Sequence, residues 1–196
     1  LMMQAASRFP ECQIIVGGSS SIPMKYYRQV AQTQGLNVVF GATHVLMKHA
    51  RAALVTSGTA TLETALLGTP QVVCYRANGR KLSYKIMEKL LKVKYVSLPN
   101  LIVGNAVVPE LLVHLCTADS IARHLSPLLQ GSPERDAQLA GYRKMRWRLG
   151  SAIATDYAAT LICGSLGLNI PLEILRPQTQ PASRPKRKKT QTRPSE

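Results

Sequence analysis

Short apolar runs alternate with amphipathic segments through the first half of the chain. Ile14-Ile15-Val16 ends in Gly17-Gly18, and Asn37-Val38-Val39-Phe40 ends in Gly41. Ala53-Leu54-Val55-Thr56 ends in Ser57-Gly58, and Gln71-Val72-Val73-Cys74-Tyr75 follows a Gly-Thr-Pro turn. Runs this short, β-branched and bounded by glycine or proline have the character of buried parallel strands. Helical patterns lie between them, at Pro23 to Gln34, Thr43 to Ala50 and Thr59 to Leu67. The βαβα order predicts an α/β fold built on a parallel sheet with helices on both faces.

Beyond Tyr75 the pattern changes. Arg80 to Lys94 reads as a basic amphipathic helix, with Leu82, Ile86, Leu90 and Val93 on one side and Lys81, Lys85, Lys89 and Lys92 on others. A loop, Ser97-Leu98-Pro99-Asn100, follows. A helix is predicted from Thr117 to about Leu129, with Asp119 and Ser120 in its first turn, and a longer helical region from about Pro133 to Ser165. The last twenty residues are rich in Gln, Thr, Pro, Arg and Lys, cannot build a core, and are expected to be disordered. The domain organisation predicted is an α/β domain over residues 1–165, then an extension and basic tail over 166–196.

Composition limits the function. Of 196 residues 45% are hydrophobic, enough to bury a core, while 25 Lys+Arg against 10 Asp+Glu give a net charge of +15. Pro177 to Glu196 holds six basic residues and one acidic, so +10 remains on the body and points to an anionic partner. Cys12, Cys74, Cys116 and Cys163 are far apart and show no zinc-ligand spacing, so reduced buried thiols in a cytosolic protein are expected. The four histidines (His44, His49, His114, His124) form no metal spacing either and read as surface or core-edge residues. Ala52 to Tyr75 carries a single charge, Glu63, but glycines and Pro70 cut it into pieces too short to span a bilayer, as is Tyr157 to Leu168.

The stretch Leu54-Val-Thr-Ser-Gly-Thr-Ala-Thr-Leu-Glu63 carries the candidate chemistry. A strand runs into Ser57-Gly58, where glycine permits a tight turn and close backbone approach by a ligand. A helix opens at about Thr59, whose hydroxyl can cap it. A helix that begins at the carboxyl end of a parallel strand offers free N–H groups and a positive dipole end, which suits a diphosphate. Glu63 lies four residues after Thr59, on the same face and about 5 Å further along. A carboxylate there would repel phosphate but can accept hydrogen bonds from the vicinal diol of a ribose. The spacing equally allows Glu63 merely to complement the helix dipole.

Thr56-Ser-Gly-Thr-Ala-Thr-Leu-Glu-Thr-Ala-Leu-Leu-Gly-Thr-Pro70, then Val72-Val73-Cys74-Tyr75-Arg76, Val96-Ser-Leu-Pro-Asn-Leu-Ile102 and Val108-Pro-Glu-Leu-Leu112, closely resemble lipid-A-disaccharide synthase. The likeness runs from about residue 1 to about residue 165. It implies a Rossmann-like domain, the carboxyl-terminal donor-binding half of a two-domain inverting glycosyltransferase of the GT-B type. The family transfers 2,3-diacylglucosamine from UDP-2,3-diacylglucosamine to 2,3-diacylglucosamine 1-phosphate, making the β-1′,6-linked disaccharide of lipid A. The matching donor-nucleotide residues are Ser57, Gly58, Thr59, Ala60, Thr61 and Glu63. Asn100 falls on a family motif and is implied to touch the nucleotide or donor sugar, with a helix or turn cap after Pro99 as the alternative. Arg76 and Arg80, just beyond the strand Gln71 to Tyr75, are candidate contacts to the diphosphate or an acceptor phosphate, with ordinary solvated cations the equally open alternative. The family usually carries Gln shortly after Pro-Glu-Leu-Leu, where this chain has Val113-His114.

The resemblance also implies what is not here. The family's Gly-Ser-Arg motif and its acidic catalytic residue belong to an amino-terminal domain upstream of Leu1, so no catalytic residue is expected in this chain and turnover by it alone is not expected. It reads as a carboxyl-terminal half, a fragment or one member of a split pair. Asp119, Asp136 and Asp156 form no Asp-x-Asp pair, so a metal-independent mechanism without cofactor is expected. Glu110 is a poor base candidate that reads better as a cap or pair at a helix start. The substrates imply a peripheral protein on the cytoplasmic face of the inner membrane, with the lysine-rich helix, and the basic stretch Gly141 to Arg148, facing anionic lipid or simply solvent. A homodimer through carboxyl-terminal helices is also open. The alternative reading is a basic nucleic-acid- or membrane-surface-binding module without catalysis. Nucleic acid is disfavoured because the charges are not interleaved with stacking aromatics.

Overall fold

A computed structural model describes residues 1–31, 35–56, 58–76, 94–150 and 154–168. The elements are α1 (Met2–Ala6), β1 (Ile15–Gly18), α2 (Met24–Ala31), β2 (Asn37–Phe40), α3 (Thr43–His49), β3 (Ala53–Thr56) and α4 (Thr59–Leu67). Then come β4 (Gln71–Tyr75), α5 (Leu98–Val103), β5 (Glu110–Leu112), a 3₁₀ turn (Val113–Leu115), α6 (Ala118–Leu129), α7 (Pro133–Leu149) and α8 (Ala154–Ser165). Ser57, the lysine-rich stretch 80–93 and the tail 169–196 lie outside the described residues.

Among the described residues all strand pairing is parallel, as the βαβα order predicts. β1 pairs with β2, Ile15 opposite Asn37, in a two-stranded ladder. β3, β4 and β5 form a second ladder in that order, Ala53 opposite Gln71 and Val73 opposite Glu110. α2 carries the chain from β1 to β2, α4 from β3 to β4, and α3 passes from one ladder to the other.

β4 shows why this is a covered sheet. Its residues alternate between two cores, as side chains of a strand must. Val72 and Cys74 join Leu111 and, from the helices, Ala5 of α1 and Ile121, Ala122, Leu125 and Leu128 of α6. Val73 points the other way, to Ala65 of α4, Val103 of α5, Val108, and Tyr142 and Met145 of α7. Burying each of these valines fully is worth roughly 1.5–3 kcal/mol.

Helix ends follow local chemistry. Thr117 Oγ1 accepts the Ser120 N–H at 3.1 Å to cap α6, and Ser132 Oγ accepts the Arg135 N–H at 3.2 Å to cap α7, which has Pro133 in its first turn. Gly150 (φ 69°) ends α7, so the expected helical run from 133 to 165 is two helices. Gly141 lets α7 seat closely, because a Cβ there would fall 2.4 Å from Val107 Cγ1. The expected loop Ser97–Asn100 instead opens α5: Pro99 sits in the first turn, where its missing N–H costs nothing. β5 is an element the pattern did not reveal. Its three residues are too few for periodicity, and Glu110 opens this strand rather than a helix.

The chain divides into two units, Leu1–Gly150 and Ser151–Glu196. In the second, α8 is an apolar helix whose Leu161 and Ile162 are exposed. Among the described residues no helix is long and apolar enough to cross a membrane.

Candidate functional site

Two residues separate α4 from the end of β3. Gly58 is its N-cap with φ 134° and ψ −162°, a conformation that L side chains rarely adopt. A Cβ at Gly58 would meet nothing within 4 Å, so the glycine serves the backbone turn and leaves open space above it. Among the described residues no side chain caps this helix end. The N–H groups of Thr59 and Ala60, at the positive end of the helix dipole, therefore have no acceptor among the described residues, while that of Thr61 is taken by the turn itself.

The expected capping by Thr59 is not observed: Thr59 is the first helical residue, exposed, beyond the position from which a hydroxyl can cap. Its hydroxyl stays available to a ligand. Thr61 behaves oppositely. It is fully buried, its Oγ1 donates to the Gly58 carbonyl at 2.7 Å and its N–H to the same oxygen at 3.1 Å. The Thr61 hydroxyl is thus part of the turn and offers nothing to a nucleotide. Ala60 can contribute only its backbone N–H.

This first turn is held from beneath by side chains that sequence reasoning passed over. Gln71 Nε2 donates to the Thr61 carbonyl at 2.9 Å and to Tyr142 Oη at 3.2 Å. The Gln71 N–H donates to Gln138 Oε1 at 2.5 Å, and Gln138 Nε2 returns a bond to the Gln71 carbonyl at 3.2 Å. Tyr142 Oη lies 2.7 Å from Gln138 Oε1 and 3.1 Å from the Thr69 carbonyl. Burial pushes the Tyr142 hydroxyl well above the usual tyrosine range, so it stays protonated. Gln71 Oε1 is buried without a partner among the described residues. A glutamine opening an otherwise apolar strand was the available signal, since buried amides must be paired.

Glu63 lies one turn further along α4, its side chain 43% exposed. His44, at the start of α3, places Nε2 3.1 Å from Glu63 Oε2. No pattern along the chain joins these two residues, nineteen positions apart on different helices. Arg76 follows β4 as Gly58 follows β3. The parallel register sets Thr56 opposite Cys74, so Arg76 stands at the same carboxyl edge of the sheet, exposed and without an ion pair among the described residues.

Asn100 does not join this group. It is 1% exposed, and its Oδ1 accepts the N–H groups of Val107 at 2.6 Å and Val108 at 2.8 Å. Its Nδ2 donates to the Val108 carbonyl at 2.9 Å and to Glu110 Oε1 at 2.8 Å. Both amide protons and both acceptor positions are spent, so the side chain clamps the 107–110 segment and has nothing left for a donor sugar. Glu110 is occupied likewise. Its carboxylate accepts from the N–H groups of Val96 and Ser97 and from Ser97 Oγ, which leaves it no role as a base.

The basic stretch 141–148 is also partly spent inside. Arg146 donates to the Leu66 carbonyl at 2.5 Å and Arg148 to the Val103 carbonyl at 2.7 Å. Arg135 donates to the Leu128 carbonyl at 2.5 Å. Three arginines of α7 thus cap the carboxyl ends of α4, α5 and α6, where a cation also complements the dipole.

A strand, a glycine turn and an uncapped helix mouth flanked by a carboxylate and a cation are parts that nucleotide-binding α/β proteins use. A family profile described as lipid-A-disaccharide synthetase matches residues 2–159. The chain belongs to that family. It is 32% identical over 148 residues to a lipid-A-disaccharide synthase of Solibacter usitatus, covering 76% of this chain and 38% of the relative. A Pseudomonas aeruginosa protein of that name is 43% identical over 112 residues, which is 57% of this chain and 29% of the relative. One from an Anaeromyxobacter species is 34% identical over 170 residues, 83% of this chain and 44% of the relative. The chain therefore spans less than half the length of these relatives.

Proposed function

We propose that this chain supplies the nucleotide-sugar-binding half of a lipid-A-disaccharide synthase, a hexosyltransferase. UDP-2,3-diacylglucosamine would be the donor and 2,3-diacylglucosamine 1-phosphate the acceptor, with the general base that takes the proton of the attacking hydroxyl contributed by an amino-terminal half. The observation that carries the reading is the mouth of α4: an uncapped helix start with an exposed Thr59 hydroxyl, open space above Gly58, and the Glu63 carboxylate one turn on.

In an inverting transfer the acceptor hydroxyl attacks the anomeric carbon as UDP departs, and negative charge grows on the diphosphate. The α4 N–H groups and dipole meet that charge, worth roughly 0.3–2 kcal/mol from the dipole alone. Arg76 stands where it can add a mobile cation. Glu63, set back by one turn, accepts from the ribose hydroxyls instead of opposing the phosphates. Ser57 completes the motif by sequence. Charge stabilisation of this kind supports a mechanism that needs no metal or other cofactor. The chain is proposed to be inactive alone and to work peripherally on the cytoplasmic face of the inner membrane, where its acylated substrates reside.

Calorimetric titration with UDP tests the reading. A hydrogen bond to a charged acceptor contributes about 1.5–3 kcal/mol, so Glu63→Gln should weaken UDP roughly 10- to 100-fold. Thr59→Val should weaken it by a smaller factor. Unaltered affinity in both variants would refute the site.

A further inference from the structure

The contact between His44 and Glu63 joins side chains of two neighbouring helices, and the fold prepares it. α3 lies alongside α4: the Thr69 hydroxyl, just past the end of α4, donates to the Met47 carbonyl of α3. That tie fixes the two helices at one end, and His44 meets Glu63 nearer the other, with Nε2 3.1 Å from Oε2. The imidazole is 72% exposed and has no other partner among the described residues, so nothing in the packing requires a histidine there.

The terminal torsion of a glutamate is broad and roughly two-fold, and an unheld carboxylate samples many orientations. A donor on Oε2 removes that freedom and leaves Oε1 as the open acceptor. The contact needs the proton on Nε2, which both the Nε2–H tautomer and the imidazolium supply. We propose that His44 is a positioning residue of the donor pocket, holding the Glu63 carboxylate so that its free oxygen meets the vicinal diol of a nucleoside diphosphate. This rests on the reading of Glu63 as the ribose acceptor. His44 acts through Glu63 and touches neither the phosphates nor the transferred sugar.

The test compares UDP with 2′,3′-dideoxy-UDP, which keeps the base and diphosphate and lacks the diol. Dissociation constants for both are measured on the 196-residue chain and on Glu63→Gln, His44→Ala and His44→Gln, with thermal melting to verify folding. The unsubstituted chain should prefer UDP by about tenfold or more, and Glu63→Gln should abolish that preference. His44→Ala should cut the preference about two- to fivefold, the scale of an exposed ion pair, and leave dideoxy-UDP affinity unchanged. His44→Gln, whose amide N–H can reach the same oxygen, should restore most of it. A preference intact in His44→Ala, or an equal loss for both ligands, overturns the positioning role while Glu63 keeps its own. A preference that survives Glu63→Gln, or that is missing from the unsubstituted chain, overturns the Glu63 reading and this proposal with it.

Discussion

The two parallel ladders are written in the same sequence pattern and packed very differently. β3–β4–β5 is sandwiched between α1 and α6 on one side and α4, α5 and α7 on the other, with Val72, Val73, Ile121 and Met145 fully buried. β1–β2 has α2 and α3 beside it, yet neither helix buries a residue, and Ile15, Phe40, Val30 and Val45 stay exposed. Its visible ties are local: Tyr27 meets the Phe40 ring edge-on with centroids 5.9 Å apart, and the Ser19 N–H donates to Tyr27 Oη at 2.8 Å. Alternation of apolar runs therefore specifies strand and helix in both halves, but burial is decided by what comes to cover them. The candidate site belongs to the covered ladder, where a buried network fixes the first turn of α4.

The sharpest way to break this contrast is to truncate the covered core. Ile121→Ala or Met145→Ala should lower unfolding free energy by about 2–5 kcal/mol in denaturant titrations, through lost burial and the cavity left behind. A smaller loss, about 1–3 kcal/mol, is expected for Glu110→Gln, which takes acceptor capacity from Val96, Ser97 and Asn100 in a part-buried site.

The covered core should also report in pH. Burial, with Cys116 beside it, pushes the Cys74 thiol up from 9.0 to about 12. The fold keeps the thiol neutral while the unfolded chain releases its proton, so this contribution is intact below pH 9 and falls as pH rises toward about 12. Tyr142, also raised by burial, acts in the same direction. Denaturation midpoints at pH 8 to 11 should show the decline, shallower in Cys74→Ala.

A gain is expected at Val113, a β-branched residue at φ 49° in the turn after β5. The left-handed region costs such a residue roughly 1–2 kcal/mol and suits asparagine better, so Val113→Asn should stabilise by about 1 kcal/mol, read as a rise in melting temperature. At the small end, Val30→Ser on α2, with its side chain already 65% exposed, should change stability by less than about 0.5 kcal/mol. A large loss there would erase the contrast between the ladders.

Much of this was legible in the sequence. The strands at 37–40, 53–56 and 71–75 and the helix at 59–67 fall where the apolar runs and their glycine or proline boundaries place them. What escaped depended on distant pairing. Asn100 and Glu110 look like turn caps or ligands one at a time, and only their mutual bonds show that each consumes the other's chemistry. Arg146 and Arg148 read as surface cations until the ends of α4 and α5 are seen beneath them. His44 carried no motif at all; Glu63, nineteen residues away on another helix, is its partner.

Hydrogen exchange with and without UDP tests the central claim most directly. The account predicts slowed exchange at the backbone amides of residues 58–63, with those of β1, β2 and α2 unchanged. Protection confined to the β1–β2 ladder, or no protection at a UDP concentration that saturates binding, would contradict it.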